Sequence, residues 1–205
     1  MLNKIKRKDC LSQYPSFPTR RYDTTIDEEI FFYPASFRSY ILTLISKSFK
    51  GHLRILGEAL KSLMNELHFE HLIFLGDTKL AWLCQDNDFK PVKEAIDYLT
   101  NNKIGKRFNG GIEVSKSEIP TFVKHLCWLT RSNASLPMIY FTDKNQNFIA
   151  SICKYGNIHF ETMNKDTDYA LNTLIDKSPF NFLDKNNCYN QHGKTSAINS
   201  RKIII

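Results

Sequence analysis

The chain has 205 residues, 42% of them apolar and 13% aromatic, with 24% charged and a formal net charge of +7. An apolar fraction near the globular mean excludes a wholly disordered polypeptide, and this length can bury a core without disulfides or metals to staple it. The charge is concentrated at the ends: residues 1–21 carry Lys4, Lys6, Arg7, Lys8, Arg20 and Arg21 against Asp9, and residues 184–205 carry Lys185, Lys194, Arg201 and Lys202 against Asp184. The stretch between them is close to neutral, so the basic isoelectric point reflects two tails rather than a basic face on the folded part.

The five cysteines, Cys10, Cys84, Cys127, Cys153 and Cys188, are widely spaced, and no two stand within two to four residues of each other. Neither a zinc knuckle nor a thioredoxin-like pair is encoded locally, and Cys84, Cys127 and Cys153 lie in apolar stretches where cysteine acts as a small hydrophobe. The basic N-terminus is not followed by an apolar signal region, and no apolar run is long enough to span a bilayer. The expectation is a soluble, cytoplasmic protein with no membrane span.

Residues 1–25, with Pro15 and Pro18 and no hydrophobic period, read as a basic irregular N-terminal arm. Ile30–Tyr33 is a short aromatic run ended by Pro34, the signature of an edge strand. Ser36 then stands before Phe37, Tyr40, Ile41, Leu44 and Ile45, a spacing that predicts a capped helix. A second helix follows Gly51, with Leu53, Leu56, Leu60, Leu63, Met64 and Leu67 on one stripe. Leu72–Leu75 and Leu80–Cys84 flank Gly76-Asp77-Thr78 and predict a hairpin.

Pro91 opens a helix with Val92, Ala95, Ile96 and Leu99 inward, and Gly110–Val114 is the next strand. Ser117, Glu118 and Pro120 start a helix whose stripe is Ile119, Phe122, Val123, Leu126 and Leu129. Pro137–Phe141, Phe148–Cys153 and Ile158–Phe160, separated by short polar links, read as an antiparallel meander. Asp166 and Thr167 offer N-caps for a last helix through Ile175. Residues 184–205 are polar and read as a disordered C-terminal tail. The whole is an α+β protein: residues 26–183 form one domain, with a single antiparallel or mixed sheet of about five to seven short strands packed against four to five helices.

No phosphate-binding glycine loop, metalloprotease motif or nucleophile elbow is present. His68 and His71, with Glu66 and Glu70 beside them, have the spacing of a helical metal pair, but they fall where a helix gives way to a strand. A histidine there serves equally as a favourable charge at a helix C-terminus. His125 and Cys127 are two apart on a helix and point away from each other, so a Cys–His dyad needs Cys127 to meet His52 or His159 through folding. His159 and Glu161 alternate on one strand and share a sheet face, either as an acid–base pair or as an ordinary solvated face.

The positive signal is of another kind. Trp128 lies on the side of its helix opposite Ile119, with Thr121, Lys124 and His125, and Ile55 lies off the apolar stripe of the second helix. Either a further protein layer covers these residues or they anchor a partner. The sequence therefore points to a non-enzymatic protein-binding module that requires no cofactor and no metal. Its partner surface comprises Trp128, Lys124, Thr121, His125 and Ile55, and small bacterial proteins of adaptor, secretion-chaperone or toxin-neutralising (immunity) type are the fold-level analogy. The alternatives are a small hydrolase or nuclease using a Cys/His or His/Glu site, and a nucleic-acid binder acting through the basic tails.

Overall fold

The segments His71–Gly76, Ile139–Thr142 and Phe148–Ile152 are apolar at almost every position, so alternation cannot give them one wet face and one dry face. They become the centre of a sheet covered on both sides. A computed structural model of the chain describes residues 2–83, 87–133, 135–183 and 187–192. In chain order its elements are β1 (Leu2–Ile5), α1 (Arg7–Gln13), β2 (Thr19–Asp23), β3 (Glu28–Phe32), β4 (Arg38–Leu44), α2 (Phe49–Glu66), β5 (His71–Gly76), α3 (Lys90–Asn101), β6 (Gly111–Ser115), α4 (Ile119–Ser132), β7 (Ile139–Thr142), β8 (Phe148–Ile152), β9 (Ile158–Thr162), α5 (Lys165–Ile175) and β10 (Phe180–Phe182).

Eight strands form one sheet in the order β1-β6-β5-β7-β8-β9-β4-β10, and every pairing in it is antiparallel. β2 and β3 form a separate two-stranded ribbon. The α+β class and the antiparallel pairing agree with the sequence reading, while the sheet is larger than the five to seven strands expected and a second small sheet accompanies it.

One face of the sheet carries Leu72, Phe74, Phe141, Phe148, Ala150, Ile158 and Phe160 against α2, α3, α4 and α5. The other carries Ile73, Leu75, Tyr140 and Ile149, and these pack against Cys10, Tyr14 and Phe17. The N-terminal residues expected to be irregular thus contain an edge strand and a helix, with Cys10 and Phe17 wholly buried. Arg7 fastens this layer, its guanidinium donating to the carbonyls of Gly76 at 2.9 Å and Asn109 at 3.3 Å.

Two other segments depart from the sequence reading. The expected helix from Ser36 is β4: Tyr40 and Leu42 face Phe160 and Ile158 of β9, while Phe37 and Ile45 are exposed. In so short a window the helical spacing is also met by a strand with one extra apolar position, and pairing to β9 and β10 decides it. The expected hairpin keeps only its first arm. Leu80–Leu83 form no strand, Trp82 is buried with its indole N–H donating to the Gly110 carbonyl at 2.9 Å, and Cys84 lies outside the described residues. The last helix is capped by Asn164, which accepts from the Thr167 N–H at 2.8 Å, rather than by Asp166 or Thr167. Most of the expected C-terminal tail lies outside the described residues, while residues 187–192 lie against the end of the sheet.

The helices meet closely where α2 crosses α4. A Cβ on Gly57 would stand 2.6 Å from the Pro120 Cα, and backbone cannot give way as a side-chain tip can. Gly57→Ala is therefore expected to destabilise the fold by about 1–3 kcal/mol through overpacking, although alanine is the better helix former. Phe17→Ala removes a fully buried ring from the second layer and is expected to cost about 3–5 kcal/mol. Urea unfolding of both variants checks these values; a change within about 0.5 kcal/mol for Phe17→Ala would mean that the N-terminal segment is not a structural layer.

Candidate functional site

α4 runs antiparallel to both of its neighbours. Phe49 at the head of α2 and Phe89 just before α3 both reach Trp128 near the end of α4, with ring centroids 5.1 and 5.8 Å away. At the other end, Gly57 of α2 meets Pro120, and the Tyr98 hydroxyl of α3 lies 3.5 Å from Glu118. The starts of α2 and α3 therefore lie at the same end of α4, and the space over its outer side is a groove of about 800 Å³.

Thr121, Lys124 and Trp128 come from α4, Lys50, Arg54 and Glu58 from α2, and Lys90 and Glu94 from α3. Four cations face two carboxylates, and the positive ends of two helix dipoles add to them. Trp128 is half-buried, held edge-on by the two phenylalanines, with part of its indole left to the groove.

Of the five residues singled out in the sequence, the groove unites three, Trp128, Lys124 and Thr121. His125 turns towards α3 and stacks on Tyr98 with centroids 4.5 Å apart. Ile55 of α2 is half-buried and packs against the core. A further apolar surface, unmarked by any motif, lies on the β2–β3 ribbon and the segment after it, where Tyr22, Ile26, Phe31, Phe32 and Phe37 are about half exposed. Tyr33 anchors this ribbon to the sheet, stacking edge-on with Tyr140 and donating to Glu161 at 2.5 Å.

The catalytic candidates are dispersed. His68 has φ +58° and occupies the left-handed position after α2. Its N–H donates to the Asn65 carbonyl and that of Phe69 to the Met64 carbonyl, a Schellman closure of the helix. His71 instead sits on β5, 4.0 Å from Glu113. Cys127 is fully buried, and burial pushes its thiol well above the ordinary range, away from the thiolate a nucleophile needs. Glu161 is committed to Tyr33 rather than to an acid–base pair with His159.

His159 joins a different set. Its imidazole, Cys153 at the end of β8 and Cys188 of the C-terminal segment offer ligand atoms that all lie within 4.8 Å of one another, and the two sulfurs are 3.5 Å apart. Among the described residues this is the one group of three or more metal-ligating side chains so close. The sequence hides it because its members come from the two sides of a hairpin turn and a distant segment. The usable signal was a cysteine and a histidine flanking the tight Tyr155-Gly156-Asn157 turn.

Beside this turn His52 is buried, with its Nε2 2.9 Å from the Gly156 carbonyl and its ring 5.2 Å from that of His192. Comparison with known families, with curated proteins and with solved structures returned no match. No helix among the described residues is long and apolar enough to cross a membrane.

Burial lowers the pKa of His52 more than its contact with Gly156 raises it, and burial lowers those of His125, His159 and His192 as well. The unfolded chain takes up protons at an ordinary histidine pKa of about 6.5, whereas the folded chain takes them up only at lower pH. Stability is therefore expected to be complete above about pH 6.5 and to fall as the pH drops from there towards the lowered folded values. Urea midpoints measured across that window check this, and His52→Gln should flatten the profile.

Proposed function

We propose that the protein is a non-enzymatic binding module whose α2–α4–α3 groove receives an acidic segment of another protein carrying an apolar anchor. The observation that carries this reading is the groove itself, which sets Trp128, Lys124 and Thr121 beneath walls that are positively charged on balance. A half-buried aromatic supplies contact area at little entropic cost, and the surrounding cations favour a partner of opposite charge and guide its approach. His68 closes the end of α2, Cys127 is buried in the core and Glu161 accepts from Tyr33, which supports a binding role over a hydrolytic one.

The nucleic-acid reading loses part of its motive. Arg7 is bound to backbone carbonyls, Lys4 donates to the Lys103 carbonyl at 2.9 Å, and Arg20 pairs with the buried Asp77 at 3.1 Å. Cations so engaged are poorly placed to neutralise phosphates.

The test is a library of acidic peptides with and without a central aromatic or aliphatic residue. Binding is read from tryptophan emission, which reports on Trp128 because Trp82 is sealed in the core. Lys124 is exposed, so Lys124→Glu leaves the fold intact and is expected to weaken a genuine groove ligand about tenfold, or ~1.4 kcal/mol. A library without binders, or binders indifferent to Lys124→Glu, would overturn the proposal.

A further inference from the structure

We propose that Cys153, His159 and Cys188 form a binding site for a zinc-class divalent ion that clips the C-terminal segment to the β8–β9 hairpin. The site is independent of the helical groove. Its ligands are a soft-donor set, two thiols and one imidazole, of the kind that selects zinc over calcium or magnesium.

The geometry suits a tetrahedral ion. With metal–sulfur bonds of about 2.3 Å and metal–nitrogen bonds of about 2.0–2.1 Å, ligand atoms around such an ion stand roughly 3.5–3.8 Å apart. The two sulfurs are 3.5 Å apart, and all three ligand atoms lie within 4.8 Å of one another. Only small side-chain adjustments are needed to close on an ion. A disulfide, by contrast, requires the sulfurs to approach to about 2.05 Å.

The surroundings also supply a donor aimed at sulfur. The Asn157 amide donates to Cys188 Sγ at 3.4 Å and to the Tyr189 carbonyl at 3.2 Å, while its oxygen accepts from Thr43 at 2.8 Å. Donors aimed at sulfur are the outer shell that orients ligands and stabilises their anionic form. The His159 imidazole makes no hydrogen bond among the described residues, so a ring nitrogen is available.

On binding, each thiol gives its proton to solvent, two metal–sulfur bonds and one metal–nitrogen bond form, and the neutral imidazole loses no proton. A fourth position remains for water or another donor.

The function follows from where the ligands lie in the chain. Cys153 directly follows β8 and His159 lies on β9, whereas Cys188 lies beyond β10 on a segment held by the bonds from Asn157 and by Gln191 to Thr43 at 2.5 Å. An ion joins that segment to the sheet and withdraws two thiols from oxidation. It is a structural clip rather than a catalytic centre.

The test uses the full-length chain, reduced and stripped with a chelator, and titrated with Zn²⁺ and with Co²⁺. Expected are one ion per chain, thiolate-to-cobalt charge-transfer bands with the intense ligand-field bands of tetrahedral cobalt, and a rise in Tm with Zn²⁺. Cys153→Ser, Cys188→Ser and His159→Ala should each weaken binding by at least about 100-fold, since changes even in an outer shell cost roughly 10–100-fold. Cys127→Ala should leave binding unchanged.

Far-UV circular dichroism identifies any variant that fails to fold, and His159→Ala, at a half-buried position, keeps the test decisive if a cysteine variant is lost. Three outcomes overturn the proposal: no stoichiometric binding, binding that survives in the folded cysteine or histidine variants, or a Cys153–Cys188 disulfide in unreduced protein whose reduced form takes up no metal.

Discussion

A strand that is apolar on both faces has no side to offer water, and three such strands, β5, β7 and β8, lie next to one another here. Every larger feature of the molecule follows from the need to cover them twice. Three long helices and α5 take one face, where Phe74, Phe141, Phe148 and Phe160 stack in a continuous aromatic seam. The opposite face receives the residues between β1 and β2, and Cys10, Tyr14 and Phe17 seal Ile73, Leu75, Tyr140 and Ile149. At about 1.5–3 kcal/mol for each large apolar side chain withdrawn from water, this second cover is no accessory.

The helical layer creates the groove through its own packing. Gly57 lets α2 approach Pro120 closely, and α3 flanks α4 on its other side, with Tyr98 stacked on His125. What remains open is the outer side of α4, with Trp128 wedged between Phe49 and Phe89. Arg131, three residues further on, places its guanidinium 4.1 Å from the Phe49 ring and donates to the Lys154 carbonyl at 2.9 Å. A cation and an aromatic cluster thus join the floor of the groove to the β8–β9 turn. The two candidate sites are neighbours in structure, although their chemistries differ.

Several polar groups meet at that turn. His52, Asn157, Cys153, His159 and Cys188 all direct polar atoms into or around it, and the C-terminal segment reaches it from outside the sheet. The thiol of Cys153 is pushed up to about 12 by burial, so without a cation it stays protonated. A cation bound beside it would favour the charged sulfur instead.

By itself the sequence determined the elements whose hydrophobic period is long or whose ends are punctuated: α2, α3, α4, the β7–β8–β9 meander and α5. It also marked Trp128, Lys124 and Thr121 as an outward-facing set, because a helix of fourteen residues fixes which side chains share a side. Tertiary structure decided the rest. β4 is a strand because β9 and β10 offer it partners on both edges, and seven residues carry too few periods to choose a helix or a strand alone. The N-terminal layer has no period to read, since its residues are selected for filling the sheet's second face rather than for an amphipathic pattern of their own. The Cys153, His159 and Cys188 cluster was equally hidden, because a metal-ligand spacing is visible in a sequence only when the ligands are neighbours along the chain, and these become neighbours only when a distant segment folds back over a hairpin.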